Sequence, residues 1–209
     1  MTQVDVGSIV PSTRDLLQVL STRRKSTALV ALLDADRAAE EAARLHELNV
    51  SAFALAEAGP AMQLAARATK TVPVLCLASA ADRDDFLRAR FFGADGVCIE
   101  ASLPLDEWDR RAKSARMTRM LPLALATDAA GVEGAIKAGA KALLVRASSA
   151  DALLALLGPV PRSMTLVAEI VGADAASLRS LKGKVDAALV PPNVHASAEM
   201  PELVAELDP

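Results

Sequence analysis

Aromatic residues are scarce in this sequence: they make up 2% of the 209 residues, with one Trp, four Phe and no Tyr. This scarcity argues against aromatic cages and against platforms on which bases or sugars stack. Cysteine is limited to Cys76 and Cys98, and both lie inside apolar, strand-like runs. A reduced thiol in such a run usually serves as a small buried hydrophobe, so we expect neither redox nor metal chemistry from them.

The sequence also lacks long apolar runs and a strong excess of charge of one sign. The first strongly apolar run, residues 27–33, is far shorter than the roughly 20 residues that span a bilayer. Residues 1–11 lack the basic and apolar regions of an export signal. We therefore expect a cytoplasmic protein with no membrane anchor. The net charge is −3 and opposite charges interleave along the chain, so we expect no nucleic-acid partner.

The sequence does contain a regular alternation of short apolar runs with segments of helical period. This alternation is typical of consecutive βα units, and runs that are apolar throughout fit parallel strands covered on both faces. The predicted strands are residues 28–34, 50–56, 72–77, 96–100, 121–126, 142–146, 165–169 and 187–190. Eight units in 209 residues predict an α/β fold, a single (βα)8 TIM barrel domain over residues 1–209 with the barrel at 28–206.

Helices are predicted between the strands. The clearest are residues 36–48, 82–92 and 132–138. The last two are followed by Gly93 and Gly139, where a left-handed C-terminal cap favours glycine. A short motif repeats ahead of the fourth, sixth and eighth strands, at residues 92–95, 138–141 and 183–186, which indicates a recurring βα unit. An extra helix at residues 12–20 precedes the first strand, and we expect it to close or flank the N-terminal end of the barrel.

Several of these segments resemble the indole-3-glycerol phosphate synthase family. The matching stretches are PSTRDL at 11–16 with ALVA at 28–31, VSAFALAE at 50–57, VPVL at 72–75 with GAD at 93–95, and VAE at 167–169. The resemblance implies a (βα)8 barrel and a carbon–carbon lyase of tryptophan biosynthesis. That chemistry is carboxyl loss, ring closure and dehydration of a phosphorylated anthranilate sugar, performed by lysines, glutamates and an asparagine at the C-terminal ends of the strands.

Most positions that the family uses for this chemistry carry other residues here. The glutamate and lysine of the family's first strand fall on Leu32 and Asp34, and the lysine acid of its third strand falls on Leu77. A hydrocarbon side chain cannot act as a general acid. The fifth-strand glutamate falls on Leu125 and the sixth-strand asparagine on Arg146. Among the family's carboxylates, the one on the seventh strand, Glu169, and the one after the second strand, Glu57, are in place.

The family's phosphate-binding loops are also altered. After the seventh strand the Ser-Gly of the family is replaced by Ile170-Val171, and after the eighth strand Gly-x-Ser is replaced by Pro191-Pro192-Asn193. Proline has no N–H to donate and β-branched side chains hinder the approach of a phosphate, so we expect no phosphate between these two loops. The first βα loop is shortened to Ala35-Asp36, which leaves no lid over a substrate.

Three charged residues form the strongest remaining constellation. Alternation along the strands places Glu100, Arg146 and Glu169 inside the barrel at its catalytic end. Either they form an ion cluster that fills the former substrate space, or they bind a small polar ligand. His195, in the loop after the eighth strand, is a third ligand-binding candidate beside Glu100 and Arg146.

Acidic residues at the tops of strands have a structural interpretation as well. Asp36 and Asp128 are expected to cap helices, since a short carboxylate accepts an unpaired backbone N–H there. Asp34, Glu100 and Glu169 could offer oxygen ligands to a metal ion, but no His or Cys motif supports them, so we expect no metal and no cofactor.

Two functional hypotheses follow. The first is a non-catalytic barrel, a pseudoenzyme kept as a partner-binding or regulatory protein. The second is a lyase on a phosphorylated sugar, of the indole-3-glycerol phosphate synthase type or repurposed from it, that uses Glu169 with Glu57 or Asp34. Apolar residues at 153–154, 156–157 and 91–92 exceed what one core-facing helix stripe needs, which predicts a homodimer or a protein partner unless the helices are deeply packed.

Overall fold

The computed structural model describes residue 10 and residues 12–208. In this part of the chain, eight parallel strands form a closed barrel in sequence order, each hydrogen-bonded to the next and the last to the first. The strands are β1 (Ala28–Leu32), β2 (Ala52–Leu55), β3 (Val74–Ser79), β4 (Gly96–Glu100), β5 (Leu121–Ala126), β6 (Ala142–Ala147), β7 (Thr165–Ile170) and β8 (Ala187–Val190). The predicted (βα)8 barrel is confirmed.

The helices cover the outside of the barrel, except for the first, which lies at its N-terminal end. They are α1 (Leu16–Leu20), α2 (Ala38–Glu47), α3 (Pro60–Ala68), α4 (Arg83–Phe91), α5 (Leu105–Met117), α6 (Ala129–Lys137), α7 (Ala150–Leu156), α8 (Ala175–Arg179), α9 (Pro192–His195) and α10 (Met200–Leu207), with a single 3-10 turn at Ala35–Arg37. None of the helices within the described residues has the length and apolar character that a membrane crossing requires.

The core has two layers because successive side chains of a strand point to opposite faces. The inner layer fills the barrel and consists mainly of Ala, Val and Leu, for example Val30, Leu75 and Leu144. The outer layer lies between the strands and the helices and contains the bulky side chains Phe53 and Trp108. Both faces of every strand are therefore apolar, which explains the continuous apolar runs of the sequence.

The extra N-terminal helix is shorter than predicted. It begins at Leu16, after Asp15, whose carboxylate accepts the N–H of Gln18 at 3.0 Å. Leu16 and Leu20 are buried in the inner layer, so α1 closes the N-terminal end of the barrel. The side chains of Ser12 and Arg14, which precede it, contact Asp95, the residue before β4, and do not form a helical turn.

Two aspartates at the N-terminal end of the barrel play the same part. Asp95 leads into β4, and its carboxylate accepts the N–H of Val74 at 2.8 Å. Asp186 leads into β8, and its carboxylate accepts the N–H of Leu166 at 2.9 Å. Each aspartate thereby ties its own strand to the preceding one, which gives the repeated motif a structural role at two of its three occurrences.

Candidate functional site

Hydrophobic side chains dominate the C-terminal mouth of the barrel, where (βα)8 enzymes carry their active sites. We define the mouth by the inward-facing residues at the strand ends: Leu32, Leu77, Glu100, Leu125, Arg146, Glu169 and Leu189. Leu77, Leu125 and Leu189 are buried, with 7%, 5% and 3% of their surface exposed. Leu32 is half-buried and packs against them. Three of these four leucines occupy positions that the resemblance assigned to catalytic side chains.

One ion pair remains at the mouth. Arg146 and Glu169 face each other across neighbouring strands, and Arg146 Nε donates to Glu169 Oε2 at 2.8 Å. The Arg146 side chain is 35% exposed and that of Glu169 is 16% exposed. Both side chains are thus partly exposed, and the pair could accept a polar ligand that brings its own charges.

Glu100 lies at the same end but outside this pair. It terminates β4, its side chain is exposed, and its backbone N–H donates to Ser79 Oγ at 3.2 Å. Within the described residues Glu100 forms no ion pair with Arg146. The structure thus brings two of the three predicted cluster members into contact and leaves the third carboxylate open to solvent.

Glu57 points to a different place. It lines a cavity of about 190 Å³ together with Cys76, Ser79, Asp85 and Arg88. Cys76 belongs to the outer core layer, so this cavity lies behind the barrel wall, between the sheet and α4. Burial raises the pKa of the Cys76 thiol to about 11, which keeps the thiol protonated at neutral pH.

Asp34 serves as a cap. Its carboxylate accepts the N–H of Asp36 at 2.9 Å and so begins the 3-10 turn after β1. The capping role predicted for Asp36 therefore belongs to Asp34, because β1 ends earlier than expected. Asp128 caps α6 as predicted, by accepting the N–H of Gly131 at 2.8 Å.

His195 lies inside the protein wall, with a side chain that has no exposed surface. Its Nε2 lies 2.8 Å from the carbonyl oxygen of Leu32, and its Nδ1 lies 3.3 Å from Arg44 Nη2. A neutral ring with its proton on Nε2 satisfies both contacts, since Nε2–H donates and Nδ1 accepts. Burial lowers the pKa of His195 in spite of the Leu32 carbonyl and Glu41, whose Oε2 lies 3.8 Å from Nε2. A ligand at the mouth could touch His195 only after this packing opens.

In the two loops where the resembled family binds phosphate, several backbone amides form internal hydrogen bonds. Val171 N–H donates to the Ala147 carbonyl at 2.9 Å, and Ala173 N–H to that of Ile170 at 3.1 Å. After β8 the two prolines lead into α9, where the N–H of Val194 donates to the Pro191 carbonyl at 3.0 Å. These bonds agree with the expectation that a phosphate finds few donors here, which stays a prediction.

Many exposed acidic side chains lie at the C-terminal end of the barrel and many exposed basic ones at the N-terminal end, although Arg37, Arg83 and Glu47 depart from this arrangement. Exposed acidic side chains at the C-terminal end are Asp34, Asp36, Glu57, Asp82, Glu100, Asp128 and Asp174. Exposed basic side chains at the N-terminal end are Arg23, Lys25, Lys70, Arg119, Lys141, Arg162, Lys182 and Lys184. The arrangement suits the helix dipoles, because helices begin at the C-terminal ends of the strands and finish at the other end.

The surfaces that suggested association are largely covered. Leu153 is buried, and Leu154, Leu156 and Leu157 are half-buried and packed against the outer core layer. Phe91 and Phe92 are also half-buried, with their rings in edge-to-face contact at 5.1 Å. These apolar residues therefore pack within the chain and form no exposed apolar patch. The homodimer stays a prediction, and these residues do not provide its interface.

No protein-family model and no curated protein matches the sequence. Solved structures do match. A thiamine phosphate pyrophosphorylase from Pyrococcus furiosus is 19% identical, with a TM-score of 0.62 over 88% of this chain and 95% of that one. A 3-hexulose-6-phosphate synthase is 17% identical, with a TM-score of 0.70 over 87% and 98%.

An N-acetylmannosamine-6-phosphate 2-epimerase from Clostridium perfringens is 12% identical, with a TM-score of 0.67 over 88% of this chain and 93% of that one. The shared property is the fold. At these identities the three structures support the (βα)8 barrel, and they do not single out the indole-3-glycerol phosphate synthase family.

Sequence reasoning missed one group of basic residues. Arg23, Arg24 and Lys25 form a short basic run between α1 and β1, and they lie next to Arg162 at the N-terminal end of the barrel. The run itself was the available signal. Its neighbour in space comes from the loop before β7, which only the closed barrel brings near.

Proposed function

We propose that this protein is a non-catalytic (βα)8 barrel that acts by binding, as a regulatory or partner-binding protein. The observation that carries the proposal is the leucine-lined mouth. Where the resembled family places acids and bases, Leu32, Leu77 and Leu125 provide no group that can take or give a proton. Loss of each such group typically lowers a rate by roughly 10²–10⁴-fold.

The separation of the remaining carboxylates supports the same proposal. Glu169 lies at the mouth in an ion pair, Glu57 lines a cavity behind the wall, and Asp34 caps a turn. A catalytic acid and base must both reach the reacting atoms within hydrogen-bond distance. Three carboxylates in three environments do not provide such a pair.

The ligand class that we propose for the mouth is a small polar molecule whose anionic group, a phosphate included, is bound by Arg146 and not by the loops after β7 and β8. Arg146 can donate to an anionic group, and Glu169 and Glu100 can accept from hydroxyl or ammonium groups. The names of the three structurally similar proteins all refer to phosphorylated compounds, which makes sugar phosphates the first class to test.

The direct test is an activity assay with the phosphorylated anthranilate sugar, followed by fluorescence of the indole product. We expect no turnover above the protein-free control. A rate near that of ordinary enzymes, about 10 per second, would contradict the proposal.

Binding at the mouth is tested separately, by thermal shift and calorimetry with ribose 5-phosphate. A ligand at 100 times its Kd stabilises the folded state by about 2.7 kcal/mol. Arg146→Gln should lower the stabilisation that arises at the mouth, and stabilisation that is unchanged in Arg146→Gln assigns the ligand to another site. Arg110→Gln, which alters an exposed ion pair with Glu107 on α5, is the matched control and should keep the stabilisation.

A second candidate is a lyase on a phosphorylated sugar that uses Glu169 with Glu57 or Asp34. The favouring observation is that Glu169 is partly exposed at the mouth and held by Arg146. If this candidate is right, turnover is detectable in the wild type and Glu169→Gln abolishes it without unfolding the protein.

Association belongs to the first proposal, since a barrel without chemistry acts through what it binds. A homodimer or a protein partner in the cytoplasm is the form we propose. Light scattering at micromolar concentration measures the mass in solution and so tests for the homodimer.

A further inference from the structure

A second polar cavity lies at the N-terminal end of the barrel, opposite the mouth. Its volume is about 560 Å³, and its polar lining includes Ser21, Arg23, Arg24, Arg162, Ser163 and Asp186. Three guanidinium groups thus share the space with one carboxylate. The helix dipoles explain why basic residues gather at this end, but they do not explain a cavity with three arginines around it.

Arg24 is the decisive residue, and Arg14 provides the comparison. In the first copy of the aspartate motif, Arg14 Nε pairs with Asp95 Oδ2 at 2.7 Å, and its other nitrogens donate to the carbonyl groups of Val72 and Gly93. Every nitrogen of that guanidinium has a partner. Asp95 also pairs with Arg90 Nη1 at 2.9 Å, so both oxygens of the Asp95 carboxylate have a cationic partner.

In the second copy the corresponding arginine is left unsatisfied. Arg24 Nε lies 3.7 Å from Asp186 Oδ2, too far for a hydrogen bond. The Asp186 carboxylate instead accepts the backbone N–H groups of Arg24 and Leu166, at 3.0 and 2.9 Å. Arg24 Nε and Nη2 are buried and have no hydrogen-bond partner among the described residues. These two nitrogens form the guanidinium edge that binds two oxygens of a phosphate or carboxylate in parallel.

The backbone that carries Arg24 adds an independent observation. Arg23 and Arg24 have φ of 55° and 56°, and Lys25 N–H donates to the Thr22 carbonyl at 3.2 Å. Two left-handed residues inside such a hydrogen-bonded turn define type I′, which strongly favours Asn and Gly. Two arginines here are conformationally costly, and strained positions of this kind cluster at functional sites. The turn places both arginines at the cavity.

We propose that this cavity binds a phosphate-type dianion, either free or as the phosphate group of a small molecule. Arg24 provides the two-pronged contact, Arg23 and Arg162 provide further positive charge, and the hydroxyls of Ser21 and Ser163 can donate to the remaining oxygens. Three arginines against Asp186 leave two positive charges, which match the two negative charges of the ligand. Binding requires the guanidinium to turn toward the cavity, and no hydrogen bond of its free edge opposes that turn.

The experiment is calorimetric titration with inorganic phosphate and, separately, with ribose 5-phosphate, at low constant ionic strength. We expect one inorganic phosphate bound per chain at this cavity, and Arg24→Gln and Arg162→Gln should each weaken its binding by about tenfold or more, as loss of a charge-assisted contact does. Arg162→Gln is the safer variant, because Arg162 is exposed on the loop before β7 and has no described side-chain partner. Circular dichroism confirms that each variant is folded.

Arg119→Gln is the matched control. Arg119 is exposed at the same end of the barrel, has a φ of 57° and lies outside the cavity. Affinity close to that of the wild type in Arg119→Gln supports a defined site, whereas an equal loss in all three variants overturns it in favour of diffuse attraction. Absence of binding to the wild type also overturns the proposal. Loss of binding in Arg146→Gln, with Arg162→Gln unaffected, assigns the phosphate to the mouth and overturns it as well.

The two titrants separate the sources of the phosphate. Tighter binding of ribose 5-phosphate supports a phosphorylated small molecule as the ligand, and equal affinity supports the free anion. Because the cavity and the mouth lie at opposite ends of the barrel, this inference does not rest on the proposed function and can fail without it.

Discussion

Replacing the ion pair at the mouth with leucines tests whether that pair is a structural filling or a retained binding group. Arg146→Leu leaves the Glu169 carboxylate, 16% exposed, without its partner. Exposed ion pairs contribute about 0.2–1 kcal/mol, and removing one partner of a fully buried pair costs about 3–5 kcal/mol. Because a third of the Arg146 side chain is in water, screening reduces the cost, and we expect about 2 kcal/mol for each single variant.

The double variant Arg146→Leu with Glu169→Leu should behave differently. Its two leucines extend the ring formed by Leu77, Leu125 and Leu189, and neither charge of the former pair is left without its partner. Apolar replacement of a buried pair is often neutral or stabilising, so we expect a free energy of unfolding within about 1 kcal/mol of the wild type.

Urea unfolding of the four proteins at neutral pH measures the free energy of unfolding of each, and the cycle gives the coupling between the two side chains. We expect an equal m-value throughout. A double variant that loses as much stability as the two single variants added together would refute the reasoning, because it would mean that the side chains act independently.

Three further predictions concern other parts of the chain. Gly134→Ala should destabilise the protein by about 2–4 kcal/mol in urea unfolding, because the new Cβ would lie 2.3 Å from the carbonyl oxygen of Ala101, whereas Gly158→Ala, with open space around it, should change little. Burial lowers the pKa of His195 in the folded state from its ordinary 6.5, so the unfolded chain binds the extra proton first and stability should fall as the pH drops below about 6.5. His195→Gln should flatten this slope between about pH 7.5 and 5.5, while His46→Gln, at the exposed second histidine, should not; equal slopes in all three proteins would contradict the assignment. Light scattering at micromolar concentration should show a homodimer if the association hypothesis holds. A strictly monomeric protein that also captures no partner in a pull-down from cell extract would contradict that hypothesis.

Strand positions were predictable because burial on both faces makes each strand a continuous apolar run in the sequence. The fourth, fifth and eighth predicted strands have the bounds that the structure gives to β4, β5 and β8. The first ended too late in the prediction, since Asp34 uses its side chain to begin a turn, and the third began too early. Val72 and Pro73 are apolar but precede β3, and proline cannot donate to a ladder.

The site was predictable where strand alternation alone decides the outcome. Arg146 and Glu169 follow inward-facing Leu144 and Val167 by two residues, and both reach the mouth. The same parity was available for Glu57: inward-facing Ala54 makes residue 56 the inward position and turns Glu57 outward.

The position of His195 could not be predicted from strand alternation. It follows the last strand by several residues, and the short helix α9 turns it back into the protein wall beside Leu32. The path of such a loop depends on contacts with α2 that are remote in sequence. The cavity around Arg24 and Arg162 has the same origin, because residues from two distant loops meet only after the barrel closes.

The two aspartates that bridge strands divide the barrel into equal parts. Asp95 opens β4 and Asp186 opens β8, so they stand four strands apart, on opposite sides of the closed ring. The segment around α1 reaches both. Arg14 pairs with Asp95 at one end, and the backbone N–H of Arg24 binds Asp186 at the other, with Leu16 and Leu20 inside the barrel between them. This segment therefore crosses the N-terminal opening of the barrel from one aspartate to the other and holds β4 and β8 at a fixed distance.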